Sequence, residues 1–108
     1  MPAVSTSIAS NSFDLSATPV PNQPGIFFYG PNQVLLPFGD GFRCVGGTLV
    51  RLNPPAAAAG KTANRSVDLN LQGFMPGMSP NFQYWYRDPA AGGTGFNLSG
   101  CIQVTFTP

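Results

Sequence analysis

Apolar and polar residues alternate with a period of two along several parts of the chain. Phe13, Leu15 and Ala17 are separated by Asp14 and Ser16, and Val67, Leu69 and Leu71 by Asp68 and Asn70. Successive side chains of a strand point to opposite faces, so each stretch predicts a strand with one face buried. The C-terminus repeats the pattern, with Ile102, Val104 and Phe106 on one face and Cys101, Gln103 and Thr105 on the other. Residues 26–29 are apolar throughout, which suits a strand covered on both faces. Shorter strands are predicted over Val34–Leu36, where Pro37 should end the run, and over Phe42–Val45 and residues 48–52, 81–88 and 96–100. Gly30-Pro31-Asn32, Gly39-Asp40-Gly41 and Gly46-Gly47 carry turn chemistry.

Residues 18–25, 53–64 and 72–80 predict loops, and residues 89–95 a flexible connection. Phe74, Met75 and Met78 are expected to plug one end of the core. No window supports a helix, because the Ala56–Ala59 run lies between Pro54-Pro55 and Gly60. About seven to nine short strands with Gly/Pro turns predict an all-β antiparallel β-sandwich, jelly-roll-like or immunoglobulin-like. Residues 1–10 predict an extended N-terminal arm with Val4 and Ile8 as its aliphatic anchors, and residues 11–108 a single domain.

Composition narrows the function mainly by exclusion. Of 108 residues only 8 % are charged, and Glu and His are absent. Without His, the commonest general base and the His-dependent nucleophile systems are missing. Asp40 and Asp88 are the best carboxylate pair for hydrolysis, but nothing in the sequence brings them together. The chain therefore reads as a non-enzyme without a cofactor or metal. The Gly-Asp-Gly at 39–41 falls far short of a calcium loop, and Gly-Gly-Thr-Gly at 92–95 lacks the Lys and helix of a phosphate loop. A net charge of +1 gives no reason to expect nucleic acid or an anionic membrane as a partner. No stretch approaches the length of a transmembrane helix, so no membrane insertion is expected, and residues 1–10 do not resemble a signal peptide. The chain reads as a mature protein or a module of a longer one.

Cys44 and Cys101 have neither a CxxC pattern nor a His partner, so a disulfide is preferred over two buried thiols. It would imply an oxidising, extracellular or cell-surface location.

The chain's only Trp stands in the segment Asn81–Pro89, Asn-Phe-Gln-Tyr-Trp-Tyr-Arg-Asp-Pro. Alternation puts Phe82, Tyr84 and Tyr86 on a core face and Gln83, Trp85 and Arg87 on the opposite, more polar face. Three readings stand for that second face: packing under the chain's own loop, a protein interface, or sugar binding. The candidate interface or ligand residues are Gln83, Tyr84, Trp85, Tyr86 and Arg87.

Three blocks of sequence also carry a resemblance: residues 25–47, residues 81–89, and Gly95–Ser99 with Ile102–Phe106. Together they resemble a small β-rich module near the C-termini of large secreted or surface proteins of environmental bacteria. The resemblance spans about Phe13 to Phe106 and implies export rather than a particular activity. In such modules the late Cys sits in a Thr-Phe-Cys-Pro-like ending, whereas this chain ends Thr-Phe-Thr-Pro and carries its Cys at 101.

The leading expectation is a structural subunit or module of a self-assembling filament, sheath or surface layer. Its partner would be further copies of itself, with the N-terminal arm pairing on a neighbour's sheet edge. The alternatives are a carbohydrate-binding or adhesive module that binds polysaccharide, and a C-terminal sorting domain.

Overall fold

The computed structural model describes residues 3–91 and 93–108, and only the backbone of Ala3, Val4 and Ala91. The protein is all-β. Its strands are β1 (Ala3–Val4), β2 (Phe13–Ala17), β3 (Gly25–Gly30), β4 (Asn32–Phe38), β5 (Gly41–Gly46), β6 (Val50–Arg51), β7 (Ala63–Val67), β8 (Asn81–Arg87), β9 (Phe96–Leu98) and β10 (Ile102–Gln103). A single 3-10 turn covers Pro89–Ala91, where a flexible connection was expected.

The strands form two facing sheets and a ribbon. One sheet has the order β1-β2-β7, the central sheet has the order β10-β8-β3-β6 with β9 also paired to β8, and β4 and β5 form a hairpin ribbon. All pairings between these strands are antiparallel. Phe13, Leu15 and Ala17 of β2 and Ala63 and Val67 of β7 face Phe27 of β3 and Phe82 and Tyr84 of β8 across the main core. This is the face-to-face packing of a β-sandwich. The rings interlock: Phe13 lies 5.3 Å from Phe82 and 5.2 Å from Phe106, and Phe27 lies 4.5 Å from Tyr84. Aromatic pairs at such spacings add to the stabilisation from buried area.

The central sheet is covered on both faces. Phe28, Val45 and Leu98 form a second, smaller core under the ribbon, with Phe38 and Trp85 packed against it. That explains the unbroken apolar run of β3: Phe27 serves the main core and Phe28 the second.

Four local expectations are corrected. β4 does not stop at Pro37 but runs to Phe38, with a register shift between Gln33 and Leu36. It is the outer strand of the ribbon, where a proline costs no ladder donor. Leu71 does not face the core and is 79 % exposed. The Asp68 carboxylate accepts from the backbone N–H groups of Asn70 and Leu71 and from Asn11 Nδ2, which turns the chain after β7. These bonds, Asn11 first, hold the Asp68 carboxyl below its ordinary pKa. Of the three residues expected to plug the core end, Phe74 is buried, while Met75 and Met78 are exposed.

The expected N-terminal arm is laid along its own domain. β1 pairs with β2, opposing Val4 to Asp14; the Val4 side chain lies outside the described residues. Ser7 bridges Thr107, and the Ile8 N–H donates to the Thr107 carbonyl at 2.9 Å. Ile8 packs against the main core. The arm's inner edge thus pairs within its own chain, while β1 stands at the edge of its sheet.

Candidate functional site

Strand β8 organises the central sheet because it carries a different chemistry on each face. Its even residues enter the main core. Phe82 and Tyr84 are fully buried, and Tyr86 stacks on Tyr84 at 5.6 Å. The Tyr84 hydroxyl donates to the Ala56 carbonyl at 2.6 Å and lies against Gly25, where a Cβ would collide with it. Burial raises the pKa values of Tyr29, Tyr84 and Tyr86; Tyr86 also raises that of Tyr84, and Asp88 that of Tyr86.

The odd residues of β8 face the ribbon and fasten it. Asn81 Oδ1 accepts from Gln33 Nε2 of β4 at 3.1 Å. Gln83 is fully buried. Its Oε1 accepts from the Cys44 N–H at 3.2 Å, and its Nε2 donates to the carbonyls of Phe42 at 2.9 Å and Ser99 at 2.8 Å. Residues 42 and 44 have the same parity in β5, so their backbone groups point to one side of that strand. The Gln83 carboxamide thus substitutes for the peptide group of a neighbouring strand. Cys44 also bonds covalently to Cys101 ahead of β10, with Cα atoms 6.2 Å apart.

Trp85 continues this face. Phe38 of β4 and Phe96 of β9 pack edge-on to its ring at 5.5 and 5.8 Å. The Arg51 guanidinium lies 5.5 Å from the Trp85 ring centre, within cation–π range. Trp85 and Tyr86 keep partial exposure and Arg87 is exposed.

The five residues grouped from the sequence therefore separate. Tyr84 and Gln83 are spent inside the fold and present nothing to a ligand. Trp85, Tyr86 and Arg87 reach the surface beside a groove of about 520 Å³. Arg51 also lines that groove and lies 34 residues from Trp85 in sequence (85 − 51). Sequence reasoning missed it because the β3–β6 pairing, opposing Phe28 to Arg51, brings it there.

The remaining sequence candidates have local roles. Asp40 Oδ1 accepts from the Thr94 N–H and Oγ1, both at 2.9 Å, which ties the ribbon turn to the connection before β9. Gly39 turns that hairpin with a φ of +61°, a conformation that favours glycine. The Gly-Gly-Thr-Gly stretch begins at Gly92, outside the described residues. Among the described residues no three His, Cys, Asp or Glu side chains converge, and no helix is long and apolar enough to cross a membrane. The disulfide is compatible with an extracellular location. No protein-family model matches the chain, and no curated protein or solved structure matches it either.

Proposed function

We propose that the protein is a non-enzymatic structural subunit or module of an extracellular assembly, such as a filament, sheath or surface layer. Its partner is a further copy of itself, engaged through the β4–β5 ribbon. The observation that carries this reading is an apolar face of that ribbon: Leu35 is 73 % exposed and Phe42 56 %, and Pro37, opposite Phe42, shares their face. Apolar side chains clustered at a surface mark interaction sites. The ribbon is held in place by the disulfide and the Gln83 amide, so it offers a fixed rather than a yielding surface. A net charge of +1 gives little repulsion between copies. The register shift and Pro37 in β4 blunt strand-to-strand pairing at its outer edge, which favours contact through side chains. The disulfide fits the same location.

Sedimentation velocity over rising concentration, with electron microscopy of the same samples, tests the reading. The wild type should associate, and Leu35→Ser/Phe42→Ser should remain monomeric with an unchanged circular dichroism spectrum. A wild type that stays monomeric to nearly a millimolar and forms no ordered particles sinks the proposal.

A further inference from the structure

The five basic residues are scattered through the sequence, but the fold brings three of them to two adjoining cavities. Arg43 comes from β5, Arg51 from β6 and Arg87 from the end of β8. Arg51 lies over Trp85, and Arg43 lies 5.8 Å from the centre of the Phe38 ring, which itself packs on Trp85. Two cavities meet at Arg51 and Trp85. The smaller, about 200 Å³, has Arg43 in its wall; the larger, about 520 Å³, runs past Tyr86 and Arg87 to Pro55 and Phe96.

No carboxylate lines either cavity. Asp14 is turned to Ser66 and Asp68 to Asn11, while Asp40, bonded to Thr94, and Asp88, whose charge acts on Tyr86, border the larger cavity, so three guanidiniums stand against two carboxylates and leave a positive excess. Arg51 and Arg87 have no acidic partner among the described residues, and Arg43 Nε is buried without an acceptor. Cations of one sign set in apolar walls focus a positive potential at the cleft. A cleft of this charge is complementary to an anion.

The geometry points to this cleft as a binding site for an acidic polysaccharide, one whose sugar rings carry carboxylates. The forked Arg51 and Arg87 guanidiniums match a carboxylate in shape and charge. Trp85, Tyr86, Phe96 and the prolines at 24 and 55 supply apolar walls for the ring faces between the charges. An acidic peptide is less well served, because β6 is two residues long and offers little ladder for an added strand. No ribbon residue lines the larger cavity, and neither Leu35 nor Phe42 lines the smaller, so the site stands whether or not the protein self-associates. In a surface assembly it would hold the subunits to an acidic matrix.

Affinity electrophoresis through gels containing polygalacturonate, dextran or poly-aspartate tests the assignment. Polygalacturonate should retard the wild type, and dextran should not. Arg51→Gln/Arg87→Gln should lose about tenfold or more in affinity, as expected for removed charge-assisted hydrogen bonds. Arg87→Gln alone should lose part of it, and this exposed side chain makes no hydrogen bond or ion pair among the described residues that the substitution would break. Lys61→Gln, an exposed base that lines neither cavity, should bind as the wild type does. The monomeric ribbon variant should bind equally well, which separates this test from that of self-association. The site is overturned by a wild type that migrates freely through polygalacturonate, or by equal losses in the Lys61 and Arg variants. Poly-aspartate retarding the protein as strongly as polygalacturonate would overturn it in favour of an acidic peptide.

Discussion

Replacing Gln83 with Leu removes the side chain that joins the ribbon to the central sheet. The substitution keeps an apolar body of similar size but deletes three hydrogen bonds, to the Cys44 N–H and to the carbonyls of Phe42 and Ser99. Each such bond contributes about 1 kcal/mol net, and a partner left dry costs more. The three bonds are only part-buried, so water can recover part of the loss. The expected destabilisation is about 2–3 kcal/mol. At about 4 °C per kcal/mol for a domain of this size, the melting temperature should fall by about 8–12 °C. Urea unfolding should show a lower midpoint at unchanged slope, and the Cys44 amide should exchange faster with solvent. Gln83→Glu adds a check with a sign. Its carboxylate would face the Phe42 and Ser99 carbonyls, so the folded state favours the protonated acid and raises its pKa. The folded state then binds the proton more tightly than the unfolded state. Stability of this variant is greatest below the free Glu value of about 4.3 and declines as pH rises from there through the raised folded value. A loss below about 0.5 kcal/mol in Gln83→Leu, with Cys44 exchange unchanged, would refute the bridging role.

Three further outcomes follow from the same packing. Reducing the Cys44–Cys101 bond, whose sequence separation is 57, should lower stability by up to about 4 kcal/mol, measured as the urea midpoint with and without reductant. Phe82→Ala should cost about 3–5 kcal/mol, because the fully buried ring lies within 6.5 Å of Phe13, Tyr29, Phe74 and Phe106. Native protein should withhold tyrosine ionisation in an ultraviolet titration until above the ordinary value, since burial raises the pKa values of Tyr29, Tyr84 and Tyr86. The folded state disfavours the phenolate, so stability is level below about pH 10 and falls as pH rises beyond it. Tyrosines that all titrate at the free value in the folded state would contradict the burial.

Much of the fold is legible in the sequence because alternation is a local code for a sheet with one buried face. Phe13, Leu15 and Ala17 read as inward and are buried, as are Val104 and Phe106. Phe82 and Tyr84 likewise turned to the core, as their spacing required. The code fails where a polar contact ends the strand. Leu71 continues the alternation perfectly, yet the Asp68 carboxylate captures the following N–H groups and turns the chain away. Pro37 reads as a strand end, but it sits on an outer strand that needs no donor there.

The sequence alone determined an all-β chain of alternating strands, short of charge, with a pair of cysteines far apart. It also determined that Trp85 would face away from the main core. What covers that face was decided only in three dimensions: the chain's own ribbon, held by Gln83 and a disulfide, with Arg51 laid over the ring. The reason is the range of each interaction. Side-chain direction along a strand is fixed by neighbouring residues, whereas strand order and sheet stacking join residues dozens of positions apart. Gln83 reads as a polar surface residue in the sequence and becomes a buried substitute for a peptide group. Three arginines spread over the chain line two adjoining cavities only once β5, β6 and β8 meet.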